Sequence, residues 1–220
     1  MEDQIRRWMA AQTRPVGPVT PVPRPHVVTV SREFGAQGEQ LARVVAERMG
    51  YTCWDQELVH AIAESTQAPE RLLESLDEHR RTSIDALAEV FRPASDVGDA
   101  GYLRELVRVV HTVAAQGRAV IVGRGCQFIL GPSEALHVRV VAPVEHRVKG
   151  LVARRGWSEA QARAEVARVD ADRKAFLKAG FGRDPTDPAG YDLVINLASF
   201  TLARAAEVVE LAWAAKFKAD

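Results

Sequence analysis

The sequence predicts an α/β fold, with a five-stranded parallel sheet that carries helices on both faces. The first observation is that short apolar runs alternate with amphipathic helical stretches, a pattern typical of parallel strands joined by crossover helices. The second is that 220 residues with 47% hydrophobic side chains suffice for one such domain. Because such sheets bind ligands at the C-terminal ends of their strands, functional residues are expected directly after each strand.

Each element has its own signal in the chain. Strands are expected at five apolar runs, which are residues 27–31, 51–54, 119–125, 135–143 and 192–196. Helices are expected where apolar residues recur at helical spacing, namely at residues 2–12, 41–49, 55–91, 102–116, 144–155, 159–178 and 202–217. Gly50 ends the first helix that follows a strand.

The charge balance argues against nucleic acid or an anionic membrane as the main partner. The chain has 29 basic and 29 acidic side chains, so its formal net charge is zero. No apolar run approaches the roughly 18 residues of a membrane span. The first 15 residues, MEDQIRRWMAAQTRP, are charged and lack the apolar core of a secretion signal. We therefore expect a soluble cytoplasmic protein.

The cysteines and histidines do not show metal-binding spacing. Cys53 and Cys126 both lie in apolar segments, so buried free thiols are favoured over a disulfide or a reactive thiol. His111, His137 and His146 each sit singly. No metal ligand is therefore assigned.

The first 25 residues form a separate N-terminal arm. A short amphipathic helix at residues 2–12 precedes a segment with prolines at five positions, which are 15, 18, 21, 23 and 25. Proline fixes φ and removes a backbone donor, so this segment is expected to be extended. Two interpretations stay open: the arm packs on its own domain, or it forms a contact in a homodimer or with another partner.

The stretch SREFGAQGEQ follows the first strand and opens a helix, which is the layout of a phosphate-binding loop. Its two glycines allow positive φ and a close approach of the backbone to a ligand, and the helix N-terminus supplies N–H groups and partial positive charge. A tight turn without a ligand is the alternative. The predicted ATP-binding residues are Ser31, Arg32, Gly35, Ala36, Gln37, Gly38, Glu39 and Gln40.

Glu39 and Gln40 stand where an ordinary phosphate-binding loop has lysine and a hydroxyl residue. Glu39 would repel a polyphosphate if it pointed inward, and it would suit the helix dipole if it pointed outward. Arg32 is the candidate cation that could replace the lysine. Losing one preorganised donor costs on the order of 10²–10³ in rate, which slows an enzyme without abolishing its activity.

Residues 26–209 resemble the cytidylate kinase-like family, which is related to bacterial cytidylate kinases among the nucleoside monophosphate kinases. Three stretches carry the resemblance, at residues 28–59, 102–130 and 137–209. The resemblance implies a P-loop kinase-type three-layer sandwich as a domain of residues 26–220, with a helical insertion at about 55–100 and a mobile lid at about 147–188.

The resemblance also implies roles for residues near the acceptor. Asp55 matches an acidic residue close to the acceptor nucleotide, although it is equally placed to cap a helix. Arg124, in VGRG, matches the arginine of the DGRD motif, which reaches the acceptor phosphate; a structural salt bridge is the alternative. Val122 stands where that motif has its first aspartate, so a carboxylate on the magnesium side is missing.

The stretch RVDADRK resembles the RDxRDR helix, which supplies lid arginines and a ribose-binding aspartate. The matching residues are Arg168, Asp170, Asp172 and Arg173, while Ala175 stands where a further arginine is expected. Arg168 and Asp172 share one helix face, so an ordinary surface ion pair is the alternative. For Arg147 and Arg154, two turns apart on the preceding helix, a lid role and a solvated face stay open.

The resemblance implies ATP-dependent phosphorylation of a nucleoside monophosphate, CMP or dCMP, with Mg²⁺ as the accompanying ion of an active enzyme. Arg124, Arg168 and Arg173 would be catalytic, and Asp55, Arg124 and Asp172 would contact the acceptor. The alternative is a nucleotide-binding or regulatory protein on a kinase fold, favoured by the missing lysine, hydroxyl and carboxylate. A kinase of another small metabolite is a third, weaker hypothesis.

Overall fold

The computed structural model describes residues 26–55, 84–86, 88 and 100–217. The N-terminal arm, with its predicted helix and dimer contact, lies outside the described residues. So does most of the predicted insertion at 55–100.

The sheet is five-stranded and entirely parallel, as predicted. Its strands are β1 (Val27–Arg32), β2 (Thr52–Trp54), β3 (Ala119–Val122), β4 (Ala135–Val141) and β5 (Leu193–Asn196). Their order is β2-β3-β1-β4-β5, which puts β1 at the centre. All six residues of β1 are buried, since β1 pairs with β3 on one side and β4 on the other. The register places Ser31 of β1 beside Arg139 of β4.

Helices cover both faces of the sheet, which confirms the predicted three layers. The helices are α1 (Gly38–Met49), α2 (Ala100–Gln116), α3 (Cys126–Ile129), α4 (Val144–Arg155), α5 (Glu159–Phe181) and α6 (Leu202–Phe217). One core joins α1 and α6 to one face through residues such as Val30 and Leu136. A second core joins α2 and α3 to the other face through residues such as Ile121 and Leu106.

The third strand ends earlier than the apolar run suggested. We expected a strand over residues 119–125, but β3 stops at Val122, and Cys126 begins the short helix α3. The reason is that Gly123, Arg124 and Gly125 all have positive φ, at 77°, 53° and 74°. A strand cannot continue through this left-handed region.

Helices α4 and α5 pack against each other and against the loop between β1 and α1. Ser158 and Gln161 form a capping box at the start of α5. A small core that includes Leu151 and Val166 holds the two helices together, and Phe34 and Trp157 pack against it. The predicted lid is therefore in direct contact with the loop.

Both cysteines are free thiols, as predicted. Burial raises the pKa of Cys126 to about 12. Burial, followed by the charge of Asp55, raises the pKa of Cys53 to about 11. Both are therefore protonated and weakly nucleophilic at neutral pH. Among the described residues, no three His, Cys, Asp or Glu side chains converge on a metal position, and no helix is long and apolar enough to span a membrane.

Candidate active site

A cavity of about 590 Å³ lies at the C-terminal ends of β1, β3 and β4, under the middle of α5. A smaller cavity of about 80 Å³ lies beside it, along the loop between β1 and α1. The two share the residues Arg32, Glu33 and Arg173. The location agrees with the expectation that ligands bind where parallel strands end.

The loop between β1 and α1 presents the start of α1 to the smaller cavity. Gly35 and Gln37 both have positive φ, at 79° and 63°, so the chain turns sharply before the helix. Among the described residues, no side chain caps the start of α1, so the N–H groups of its first turn are available to a ligand. Gly38, Glu39 and Gln40 line the smaller cavity. The side chain of Ala36, in contrast, is buried in the core.

Glu39 and Arg32 form an ion pair across the start of α1, with 2.7 Å between Oε1 and Nη2. Burial acts to raise the pKa of Glu39, but the hydrogen bond and charge of Arg32 outweigh it, and the net pKa is lowered. Glu39 is therefore ionised at neutral pH. It neutralises the same arginine that the sequence suggested as a replacement for the missing lysine.

Gly38 is what allows Arg32 to lie against the helix start. A Cβ atom added at Gly38 would be 2.4 Å from the Cβ of Arg32, so no other residue fits without displacing that side chain. Arg32 is only 8% exposed. The loop thus fixes the position of one cation as well as a set of backbone donors.

Arg124 lies at the end of β3 in a left-handed conformation that costs about 1–3 kcal/mol for a non-glycine residue. Such strain clusters at functional sites. Its guanidinium lies 5.7 Å from the centre of the Phe176 ring, and its Nε is buried without a hydrogen-bond partner in the described part of the chain. Arg124 therefore lines the larger cavity, and it forms no salt bridge with any residue that the structure describes, which was its alternative role.

Arg173 lies on α5 between the two cavities. Its Nη1 donates to the backbone oxygen of Arg32 at 3.2 Å, and its guanidinium stacks 5.7 Å from the centre of the Phe34 ring. Burial, and then the charge of Arg32, lowers the pKa of Arg173 to about 10. Arg173 therefore remains a cation at neutral pH, held close to a second one.

Arg168 occupies a different environment on the same helix. Its side chain is 59% exposed and pairs with Glu165 at 2.5 Å and with Asp172 at 2.8 Å. Arg168 and Asp172 still line the mouth of the larger cavity. Their contacts are those of the surface ion pair that the sequence left open.

Arg139 is a cavity residue that the sequence analysis did not single out. It is 8% exposed, and its Nη1 lies 3.4 Å from both the Ser31 and the Tyr191 hydroxyls. The carboxylate of Glu33 lies 3.8 Å from its Nη2. The signal was an arginine inside the apolar run ALHVRVV. Ser31 lines the larger cavity rather than the loop cavity where it was expected to bind ATP.

Arg147 is buried, which excludes the solvated face that was one of its two interpretations. Its Nη1 donates to Asp170 at 2.6 Å and to the backbone oxygen of Phe34 at 3.0 Å. Asp170 in turn accepts from the N–H of Phe34 at 2.8 Å. This buried pair ties α4 and α5 to the loop. Arg154, in contrast, reaches the loop from the exposed side and donates to the backbone oxygen of Gly35 at 3.2 Å.

Asp55 stands apart from this cluster. It follows β2 at the edge of the sheet, lines neither of the two cavities, and lies 3.8 Å from Arg43. Four other carboxylates do line the cavities, and each has an arginine partner; they are Glu33, Glu39, Asp170 and Asp172. No carboxylate that lines these two cavities is therefore left without a cation partner.

Comparisons with known proteins concern the family and the fold of the chain. The model of the cytidylate kinase-like family matches residues 27–199. A curated protein, the uronate isomerase of Corynebacterium glutamicum, is 32% identical over 105 residues. That match covers 47% of this chain and 20% of the isomerase, so the chain spans about a fifth of the length of this relative.

Two solved structures share the fold. An uncharacterized protein from Eubacterium ventriosum ATCC 27560 superposes with a TM-score of 0.68 at 19% identity, covering 88% of this chain and 99% of that one. A gluconokinase from Sinorhizobium meliloti 1021 superposes with a TM-score of 0.50 at 12% identity, covering 88% and 94%. At these identities the likeness concerns the fold alone.

Proposed function

The chain belongs to the cytidylate kinase-like family, and we propose that it transfers the terminal phosphoryl group of ATP to a nucleoside monophosphate, CMP or dCMP. The observation that carries this proposal is that Arg32, Arg124, Arg139 and Arg173 meet at one cavity beside an uncapped helix N-terminus. Phosphoryl transfer is mainly positioning and charge neutralisation, so a cluster of fixed cations is its main requirement.

The two cavities suggest how the substrates divide the site. The ATP phosphates would lie against the backbone N–H groups at the start of α1, and the acceptor phosphate would lie by Arg124. Arg173, between the cavities, would neutralise the group in transit. No general base is required, because the acceptor phosphate is already an anion. Asp55 and Asp172 remain proposed acceptor contacts, and Arg168 a proposed cation at the mouth.

ATP would bring Mg²⁺ with it. The carboxylates that line the two cavities are all engaged by arginines, so they do not form a dedicated magnesium site. Mg²⁺ commonly keeps several waters and binds substrate phosphates. When bound, it would neutralise phosphate charge, while the protein residues hold and orient the two substrates.

The test is ADP release from Mg-ATP with a panel of nucleoside monophosphates. Arg124→Ala should lower turnover by about 10²–10³-fold, because it removes one preorganised donor. Arg204→Ala is the matched control, since Arg204 is an exposed arginine on α6 that pairs with Glu207 away from the cavities. Absence of turnover with every monophosphate, or an Arg124→Ala protein as active as wild type, would refute the proposal.

A nucleotide-binding protein without turnover is the second candidate. The ion pair between Glu39 and Arg32 favours it, because it places a negative charge where a kinase needs a positive one. This candidate predicts measurable binding of ATP to a protein that releases no ADP with any acceptor. Turnover that disappears in Arg124→Ala would exclude it.

A further inference from the structure

The Glu39 carboxylate lies at a point where three arginines act on it. Arg32 donates a hydrogen bond to it at 2.7 Å, and the charges of Arg173 and Arg43 also lower its pKa. The same carboxylate borders the small cavity, together with the first N–H groups of α1. An anion at this point therefore gains from both fixed cations and backbone donors.

Arg32 holds its place independently of Glu39. Its stem packs against Gly38, its backbone oxygen accepts from Arg173, and its side chain is almost fully buried. Glu39, in contrast, is 47% exposed at the first turn of α1. Of the two partners in the ion pair, Glu39 is the one whose side chain can rotate away.

Arg43 gives the departing carboxylate a second partner. It lies four residues after Glu39 on α1, a spacing at which side chains on a helix meet, and its side chain is 67% exposed. Its charge already acts on Glu39. Rotation of Glu39 toward Arg43 would keep it paired while uncovering Arg32.

We infer that the Glu39 carboxylate marks the position of a nucleotide phosphate, and that Arg32 is the cation that holds this phosphate once Glu39 swings away. The inference rests on the proposed function only in taking the loop as the ATP side of the site. It assigns the charge-neutralising role of the missing lysine to Arg32, at the end of β1. It also makes Glu39 a competitor of the ligand, so removing its charge should strengthen binding.

The experiment measures binding without any acceptor or turnover. Isothermal titration with Mg-free ATP, inorganic pyrophosphate and adenosine compares wild type with Glu39→Gln. Removing a negative charge within a few ångströms of the phosphate should tighten ATP and pyrophosphate binding by about tenfold, and adenosine binding should not change. Glu145→Gln is the matched control, because Glu145 also pairs with an arginine but lies outside both cavities.

A second pair of variants tests the role of Arg32. In the Glu39→Gln background, Arg32→Ala should abolish the gain, whereas Arg32→Lys should keep part of it; thermal melts establish that each variant is folded. The inference is overturned if Glu39→Gln binds the phosphates no tighter than wild type, including the case in which neither binds, or if the gain survives Arg32→Ala. A kinase that turns over while Glu39→Gln shows no gain would reject this inference alone. Tighter binding without turnover would reject only the proposed catalysis.

Discussion

The two ends of the cleft use the same residue type in opposite electrostatic settings. At the loop end, Arg32 and Arg147 each have a carboxylate within 2.7 Å. At the strand end, Arg124 has an aromatic ring and no carboxylate partner among the described residues, and Arg139 reaches a carboxylate only at 3.8 Å.

The difference shows at which end the chain itself supplies counterions for buried arginines and at which end it does not. A buried cation is costly unless it is paired, so the loop end gains its counterions from the chain itself. The strand end leaves two guanidiniums short of anions, which suits an incoming phosphate. Arg147 therefore has a structural role at the loop end, while Arg124 and Arg139 have the proposed binding role at the strand end.

The largest expected effect comes from removing a cation at the loop end. Arg147→Met should lower the free energy of unfolding by about 3–5 kcal/mol, because it leaves the Asp170 and Glu33 carboxylates without their buried partner. Urea unfolding measures the loss. Arg163→Met is the control, since Arg163 forms exposed ion pairs with Glu145 and Glu159 and should cost at most about 1 kcal/mol. Similar losses in the two variants would show that the loop end is not a folding element.

Two arginines on α5 differ in burial, and their alanine variants should differ in turnover. Arg173→Ala should lower turnover by about 10²–10³-fold, since it removes a half-buried cation between the cavities. Arg168→Ala should lower it by no more than about fivefold, because Arg168 is already neutralised by exposed carboxylates. Steady-state ADP release measures both. An equal loss in both variants would restore Arg168 to the catalytic group.

The strand end can also be disturbed through its backbone. Gly125 has a φ of 74°, and a Cβ atom there would lie 2.3 Å from Cε2 of Phe181. Gly125→Ala should lower the free energy of unfolding by about 2–4 kcal/mol, through both the left-handed backbone and overpacking. Gly156→Ala is the control, with a φ of 68° and nothing within 4 Å, and it should cost about 1–2 kcal/mol. Urea unfolding measures both losses. If they differ by less than about 0.5 kcal/mol, the Phe181 ring moves aside at little energetic cost.

The fold could be predicted closely because its signals are local. Helical periodicity set the bounds of α4 and α6 at the residues observed, and Gly50 ends α1 as expected. The end of β3 could not be predicted from its apolar run, because positive φ at Arg124 is a property of the folded loop. Apolar spacing therefore located the elements, while the turn between them depended on tertiary packing.

The site was predictable only in part, because its contacts are long-range. The loop glycines and Arg124 were found by their position after strands. The burial of Arg147 depends on Asp170 and Phe34, which are 23 and 113 residues away in sequence. The position of the Arg139 side chain depends on Tyr191, which is 52 residues away in sequence. A charged residue on a helix or strand gives no local sign that a distant carboxylate or hydroxyl will bury it.

The smallest expected effect concerns a histidine on the same strand as Arg139. His137 is buried, and its Nδ1 lies 2.8 Å from the Thr29 hydroxyl. Burial lowers the pKa of His137 below 6.5, although the charge of Asp192 opposes this. An arginine keeps its charge when buried, whereas this histidine is held neutral.

The sign of the pH dependence follows from that difference. Below pH 6.5 the unfolded chain binds a proton at His137 that the folded chain does not, so the free energy of unfolding should fall as pH drops below 6.5. One such group contributes at most about 1.4 kcal/mol per pH unit. Urea unfolding at pH 7.5 and pH 5.5 should show this loss in wild type and a smaller loss in His137→Gln. The comparison with His137→Gln is needed because burial also lowers the pKa of His26. His26 therefore adds a loss of the same sign in both proteins. An equal loss in both proteins would mean that His137 takes up its proton while folded, and that this strand accepts a second buried cation beside Arg139.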